Sequence, residues 1–333
     1  MLSLLTALVL TPPLSSLTIE YHEFDHEQEI HGERLGGLSG LSYSDGDCYA
    51  AVSDARDKPS IFRFCFSGDD LSWEQPLPLI HPSGEPMSAM QLDGEGLETS
   101  PSGWWMSAEL TVENPDQFLF HIDHQGRVSE SILLPPELAD LELVSNGTFE
   151  ALTRIADGSL LTALEKPPLN YPIDRSLLTP LVAINTATGD AVIRGYYPLD
   201  EVSEKVDRGL VALGVLPPLV RQEKPPSADQ TGLETLETAT PPSYFFAVER
   251  HYEPGVGNKI VFFVFELVNA EEVPNTVNKQ RWFELAELGI DSDNIEGAVI
   301  DSYGRLVLIS DNNFSSHQRT QIIRLDFSSL FLL

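Results

Sequence analysis

A short apolar segment that opens on a polar residue recurs five times along this 333-residue chain, and a carboxylate follows each opening fourteen or fifteen positions later. The pairs are Ser39/Asp54, Glu95/Glu109, Glu150/Glu165, Glu234/Glu249 and Glu296/Asp311. Their surroundings agree: Leu38-Ser-Gly-Leu41, Gly94-Glu-Gly-Leu97, Phe149-Glu-Ala-Leu152, Leu233-Glu-Thr-Leu236 and Ile295-Glu-Gly-Ala298. A strand-rich unit repeated every few tens of residues cannot bury its apolar face alone. Circular stacking of such units is a β-propeller. In that ring nine acids far apart in sequence take equivalent places.

Period-two alternation and β-branched or aromatic runs predict four strands per unit. Blade one reads as 38–44, 48–53, 60–66 and 73–80; blade two as 96–100, 104–110, 117–122 and 128–134; blade three as 150–155, 160–165, 181–185 and 191–197. Blade four reads as 234–238, 244–250, 259–267 and 281–285, and blade five has only three strands, 296–301, 306–311 and 321–327. The missing strand is at the other terminus, where 17–24 alternates like an outer strand and would close the ring beside 321–327. The expectation is an all-β, five-bladed propeller. A sixth blade is the alternative, because Gly209-Leu-Val-Ala-Leu-Gly-Val-Leu216 is strand-like, but it lacks the acid pair, and 200–230 reads as an insertion. Turns such as Ser44-Asp-Gly46 and Ala156-Asp-Gly158 after each first strand are tight, whereas the loops after the second strands and between blades are longer. Both long classes emerge on one face, and the acids sit where it meets the inner strands.

The formal charge of −31, from 51 acids against 20 bases, excludes nucleic acid and anionic membrane surfaces as natural partners, since both require a basic face. A cation is the natural partner. Residues 1–16, apolar from Met1 to Leu10, have the length of a signal-peptide core and are too short to span a bilayer. The reading is therefore a secreted or periplasmic protein, 17–333 forming one domain, with no membrane span and a monomeric state. Only two cysteines occur. Antiparallel pairing around Arg56-Asp57 sets Cys48 opposite Cys65, close enough for a disulfide that an oxidising compartment would support; two buried thiols are the alternative.

Carboxylates gathered at a channel mouth repel one another. At about 4 Å and an effective dielectric near 20 each pair opposes by roughly 4 kcal/mol, so cations, protons or arginines must intervene. Oxygen-only ligands suit Ca²⁺, and no His or Cys set with zinc spacing occurs. Acids at strand ends also serve as latches to backbone N–H groups without any metal. The bases on this face are Arg56, Lys58, Lys166, Arg175, Arg250, His251, His317 and Arg319.

Gly36-Gly-Leu-Ser-Gly-Leu-Ser-Tyr43, Asp93-Gly-Glu-Gly-Leu97, the Glu150/Glu165 repeat and Ile295-Glu-Gly-Ala-Val-Ile300 with Ile309-Ser-Asp-Asn-Asn313 resemble the phytase-like domain family, also called the esterase-like phytase domain. The resemblance covers about 17–327. It implies an extracytoplasmic propeller linked to phosphomonoester hydrolysis of the phytate type, with Glu95, Glu150, Glu296, Asp311, Asn312 and Asn313 at motif positions. This chain departs from the pattern at Ser39 and in the segment before Glu234.

Together these readings give a calcium-dependent phosphoric monoester hydrolase acting on a small phosphorylated or ester substrate. Glu95, Glu150, Glu234, Glu296, Asp311 and Asn312 are the metal ligands, Glu109 or Glu165 the base, and Arg250 and Arg319 hold the leaving oxyanion. A calcium lactonase or esterase, using Glu296 with Asn312 and Asn313, is one alternative. A non-catalytic extracellular binding module is the other.

Overall fold

Valine, isoleucine, phenylalanine and leucine at alternate positions make each run a strand with one face against the neighbouring sheet on either side. The computed structural model describes residues 17–68, 70–88, 91–111, 115–217, 243–267 and 275–330. Five blades of antiparallel strands result, with Asn275–Thr276 added parallel at the edge of blade three and a small hairpin of Glu29–Ile30 and Glu33–Arg34 beside them. Blade one contains Leu38–Asp45, Cys48–Ser53, Ser60–Ser67 and Asp70–Trp73, with Leu77–Pro78 also on its third strand. Blade two contains Asp93–Ser100, Gly103–Glu109, Gln117–Asp123 and Val128–Leu133; blade three contains Phe149–Arg154, Leu160–Leu164, Leu178–Ile184 and Ala191–Pro198. Asn294–Ile300, Arg305–Asp311 and Thr320–Asp326 form blade five, completed by the N-terminal strand Ile19–Phe24, which pairs from Ile19↔Leu325 to Phe24↔Thr320. The ring is five-bladed and closed as its alternation predicts.

Blade four corrects the sequence reading. Its inner strand is Asp207–Val215, paired with Ser243–Glu253, and the blade continues through Gly257–Leu267 and Gln280–Glu284. The stretch taken as an insertion, or as a sixth blade, is thus the fourth channel-lining strand. Glu234, read as the start of that strand, lies outside the described residues. The physical reason lies in the frame: Leu210-Val-Ala-Leu213 carries the apolar pattern of the other inner strands, with valine where they carry a polar residue.

Five hydrophobic clusters fill the five interfaces between blades. Val52 and Met106 pack between blades one and two, Trp105 and Leu161's neighbour Leu160 between two and three, and Ala247 and Leu181 between three and four. Phe246 and Ile323 meet between four and five, and Phe62 and Ile322 between five and one. Each such buried side chain contributes about 1.5–3 kcal/mol. Near the axis the inner strands come closer than side chains allow. A Cβ on Gly40 would stand 2.1 Å from the Glu95 carbonyl oxygen, and one on Gly96 would stand 2.7 Å from that of Glu150, so glycine after the polar residue lets adjacent blades touch.

A disulfide staples blade one, and a charge network locks the seam between blades five and one. Cys48 and Cys65 face each other across neighbouring strands and form the disulfide. Around the ring's outside, Glu20 accepts from Arg324 (2.5 and 3.0 Å), and Arg324 also donates to Asp47 (2.9 Å). Arg305 joins Asp47 (2.5 Å) to the buried Asp301 (2.6 Å), which also accepts from the Tyr49 hydroxyl at 2.7 Å. No helix among the described residues is long and apolar enough to cross a membrane.

Candidate functional site

In every blade the inner strand carries an extra residue at one equivalent place, blade one having a second such shift between Tyr43 and Asp45 near its turn. The register skips between Leu38 and Leu41, between Gly94 and Leu97, at Glu150, at Val211 and at Glu296. A bulge of this kind bends its strand and re-aims a side chain. The re-aimed side chains are therefore Ser39, Glu95, Glu150, Val211 and Glu296, one per blade. Three of the five are carboxylates.

The same register identifies the second row. Asp93 lies directly opposite Glu109, Gly209 opposite Arg250, and Asn294 opposite Asp311. In blades one and three the matching contacts are backbone bonds, from Asp54 N to Gly37 O (2.8 Å) and from Glu165 N to Thr148 O (2.6 Å). The ends of the second strands thus present Asp54, Glu109, Glu165, Arg250 and Asp311. Blade four supplies a guanidinium where its neighbours supply acids. Glu249, expected at that position, sits on the opposite face of its strand and is fully buried, accepting from the Tyr197 hydroxyl (2.9 Å) and the Asp200 N–H (3.0 Å), with Lys279 and His251 beside it. Burial opposes its charge, but the bonds from His251 and Lys279 hold its carboxyl below the usual range.

Eight carboxylates among the described residues share this mouth: Asp54, Asp93, Glu95, Glu109, Glu150, Glu165, Glu296 and Asp311. Glu95, Glu150 and Glu296 keep a sliver of accessible surface because they face the channel, yet protein encloses them. Burial and neighbouring acids push Glu95 and Glu150 well above the ordinary carboxyl range, Asp54 to about 7, Asp93 to about 6 and Asp311 to about 8. Burial also raises Glu165 to about 7, and raises Glu296, although Arg250 opposes both. Arg250 donates to Asn294 Oδ1 (2.6 Å), to Glu165 Oε1 (3.2 Å) and to Glu296 Oε1. Gly209 makes room for this arrangement, since a Cβ there would fall 2.1 Å from Glu165 Oε1.

The other sequence-predicted residues fall as follows. Glu109 is buried and accepts from the Thr148 N–H at 2.7 Å, latching blade two to blade three. Asp311 accepts from the Asn313 N–H at 2.7 Å. Asn312 follows Asp311, the last residue of its strand; its Nδ2 donates to Leu35 O (3.1 Å) and its Oδ1 accepts from Phe314 N (2.9 Å), so both ends of its side chain are engaged in the loop. Arg319 stands outside the mouth, paired with Glu23 of the N-terminal strand at 3.0 Å. Sequence reasoning passed over Asp93 and Asn294, although each precedes a ring acid by two positions. That spacing was the available signal. A separate cleft of about 600 Å³, lined by His81, Met87, Phe120 and Glu130 among others, lies away from these acids.

Oxygen donors dominate the mouth, and Glu296 Oε2 is buried without a hydrogen-bond partner, so the donor chemistry fits a hard divalent cation. As they stand, no three His, Cys, Asp or Glu side chains among the described residues are arranged to hold a metal ion. Among solved structures the chain is similar to a protein from Lactobacillus plantarum (12% identity, 82% of this chain and 77% of that one, TM-score 0.42). It is likewise similar to the soluble aldose sugar dehydrogenase of Escherichia coli (10%, 93% and 99%, 0.42). A third is the xylan β-1,4-xylosidase of Bacillus halodurans C-125 (11%, 87%, 0.44), about half of whose length, 53%, is covered. No curated protein matches. The family model described as phytase-like, esterase-like activity of phytase, matches residues 33–314, and the chain belongs to that family.

Proposed function

We propose that the channel mouth binds a divalent cation, calcium by its donor set, and that the protein hydrolyses phosphoric monoesters there. The observation that carries this reading is the imbalance of eight enclosed carboxylates against Arg250, Lys166 at 3.7 Å from Glu165 and the exposed Arg56, with one buried oxygen, Glu296 Oε2, left without a partner. Acids so crowded require a counter-charge. Asp54, Glu95 and Asp311, together with Glu150 and Glu296, would hold the ion. When bound, it would neutralise the acidic wall and polarise a phosphoryl oxygen.

The chain's own groups supply the rest. Asp93, pushed up to about 6 by burial and by Glu109, suits a general base that takes a proton from attacking water. Exposed Arg56 acts electrostatically on Asp54 and Asp93 and can steady the substrate's remaining oxygens. Glu109 and Glu165, engaged with Thr148 N and with Arg250, serve as supports. The disulfide supports export, because such bonds persist in oxidising compartments.

A non-catalytic calcium-binding module is the second reading, favoured by one observation: Arg250 is saturated by Glu165, Asn294 and Glu296, and Arg319 stands elsewhere. Phosphate release from phytate and from p-nitrophenyl phosphate, with calcium and with chelator, separates the two. Calcium-dependent release that is lost in Asp93→Asn with folding retained supports the hydrolase. Calcium binding without release supports the module and overturns the hydrolase.

A further inference from the structure

We propose that Ser102 is a nucleophile activated by His121, and that the two form a second reactive site, on the face opposite the mouth, which cleaves small activated carboxylic esters through an acyl-serine. This site needs no cation and shares no residue with the acids of the mouth.

Three segments of blade two meet there. Ser102 lies in the turn between Asp93–Ser100 and Gly103–Glu109, at the end of the second strand away from Glu109; His121 is near the end of Gln117–Asp123, and Ser129 near the start of Val128–Leu133. A Cβ on Gly103 would stand 2.0 Å from Ile122 O, so the turn lies tight against the strand that carries His121. The Ser102 hydroxyl is 2.9 Å from His121 Nε2, and Ser129 Oγ is 2.6 Å from Nδ1. Ser129 owes its aim to a bulge. The register passes from His121↔Glu130 to Ile122↔Val128 and leaves Ser129 as the extra residue, a device that re-aims side chains. Trp105, directly opposite His121, packs its ring against the imidazole at 5.0 Å between centroids.

The hydrogen bonds select one tautomer. Ser129 has a single hydroxyl hydrogen, and it goes to the His121 carbonyl oxygen (3.3 Å), which can only accept. Nδ1 then carries the ring proton and donates to Ser129 Oγ, which leaves the Nε2 lone pair to accept from Ser102. A base with its lone pair on a hydroxyl and its N–H held by a third group is the arrangement that activates a serine. Ser129 takes the place that a carboxylate holds in the usual triad. Burial holds His121 below its usual range and so keeps the ring neutral, while Glu130 and Asp123 favour the imidazolium that forms in the reaction and His124 opposes them. Ser100 also reaches Nε2, at 3.3 Å, but is buried at 8% exposure. Ser102 is exposed, so its hydroxyl is the one that meets a substrate.

Ser102 Oγ adds to the ester carbonyl carbon as its proton passes to Nε2. The bond from that carbon to the alkoxy oxygen then breaks, and the proton on Nε2 goes to the departing oxygen, releasing the alcohol. Water repeats the sequence on the acyl-serine: its proton goes to Nε2, the bond from the acyl carbon to Oγ breaks, Oγ recovers the proton and the acid leaves. The balance is ester plus water to acid plus alcohol.

The whole chain, kept in chelator so that the mouth plays no part, is treated with p-nitrophenyl acetate and, separately, with a fluorophosphonate, which loses fluoride to a nucleophilic serine. Expected are p-nitrophenol release above the buffer rate and a phosphonyl adduct that peptide mass spectrometry places on Ser102. Ser102→Ala, a change in an exposed turn that leaves folding intact, is expected to lower both at least about tenfold. Ser129→Ala is expected to lower release several-fold, and Ser129→Thr, which keeps the hydroxyl, to restore it. Release no faster than buffer, an adduct on another residue, or release that is unchanged in Ser102→Ala or in Ser129→Ala overturns the proposal.

Discussion

The seam that closes the ring and the mouth of its channel both gather charged side chains, and they differ in how those charges are matched. At the seam Glu20, Asp47 and Asp301 meet Arg324 and Arg305, and each acid oxygen used has a donor at 2.5–3.0 Å. At the mouth eight acids face only Arg250, Lys166 beside Glu165 and the exposed Arg56, and burial and mutual repulsion raise most of the carboxyls to neutral pH or above. A matched network holds structure together. An unmatched one raises the energy of the ligand-free protein and is lowered by whatever cation enters.

If the seam is structural, its variants change stability and leave cation binding alone. The largest effect is expected for Asp301→Ala, which strands Arg305 and the Tyr49 hydroxyl in a site where the Asp301 side chain is fully buried. A loss of about 3–5 kcal/mol by denaturant unfolding is expected, with calcium affinity unchanged. Cys48→Ser with Cys65→Ser opens a bridge spanning 17 positions and is expected to lose about 3 kcal/mol; a smaller loss on adding reductant to the wild type would mean that the strand pair holds without it. Smallest is Arg319→Ala, which breaks a half-exposed pair with Glu23. Less than about 1 kcal/mol is expected, with no change in turnover. A turnover defect there would return Arg319 to the site.

Much of the fold was legible because a propeller writes its core into a repeated apolar frame. The five-blade ring, its closure by the first strand and the opposition of Cys48 to Cys65 all follow from alternation and hairpin register. Blade four was misread because the frame was keyed on its acid. Leu233-Glu-Thr-Leu236 imitates the frame, whereas Leu210-Val-Ala-Leu213 keeps what the fold needs, two buried leucines and a small residue against the next blade, and drops the acid that the fold does not need. The acids themselves were legible, but their partners were not. Which face Glu249 and Arg250 take depends on a one-residue bulge at Val211, and a one-residue slip exchanges the two sides of a strand. Asn312, next after Asp311, engages Leu35 O and Phe314 N, partners that its position in the sequence does not announce.

Unfolding stability measured from pH 5 to 8.5, with chelator and with calcium, tests the central claim most directly. Carboxyls of the unfolded chain ionise near pH 4, whereas the folded Asp93 does so near 6, Asp54 and Glu165 near 7, and Asp311 near 8. The folded state therefore binds more protons across this window, and without calcium its stability falls as pH rises, by an amount on the order of a few kcal/mol. Calcium at a hundred times its Kd is expected to restore about 2.7 kcal/mol at pH 8. Stability that stays level or rises with pH under chelator, and is indifferent to calcium, would contradict the account.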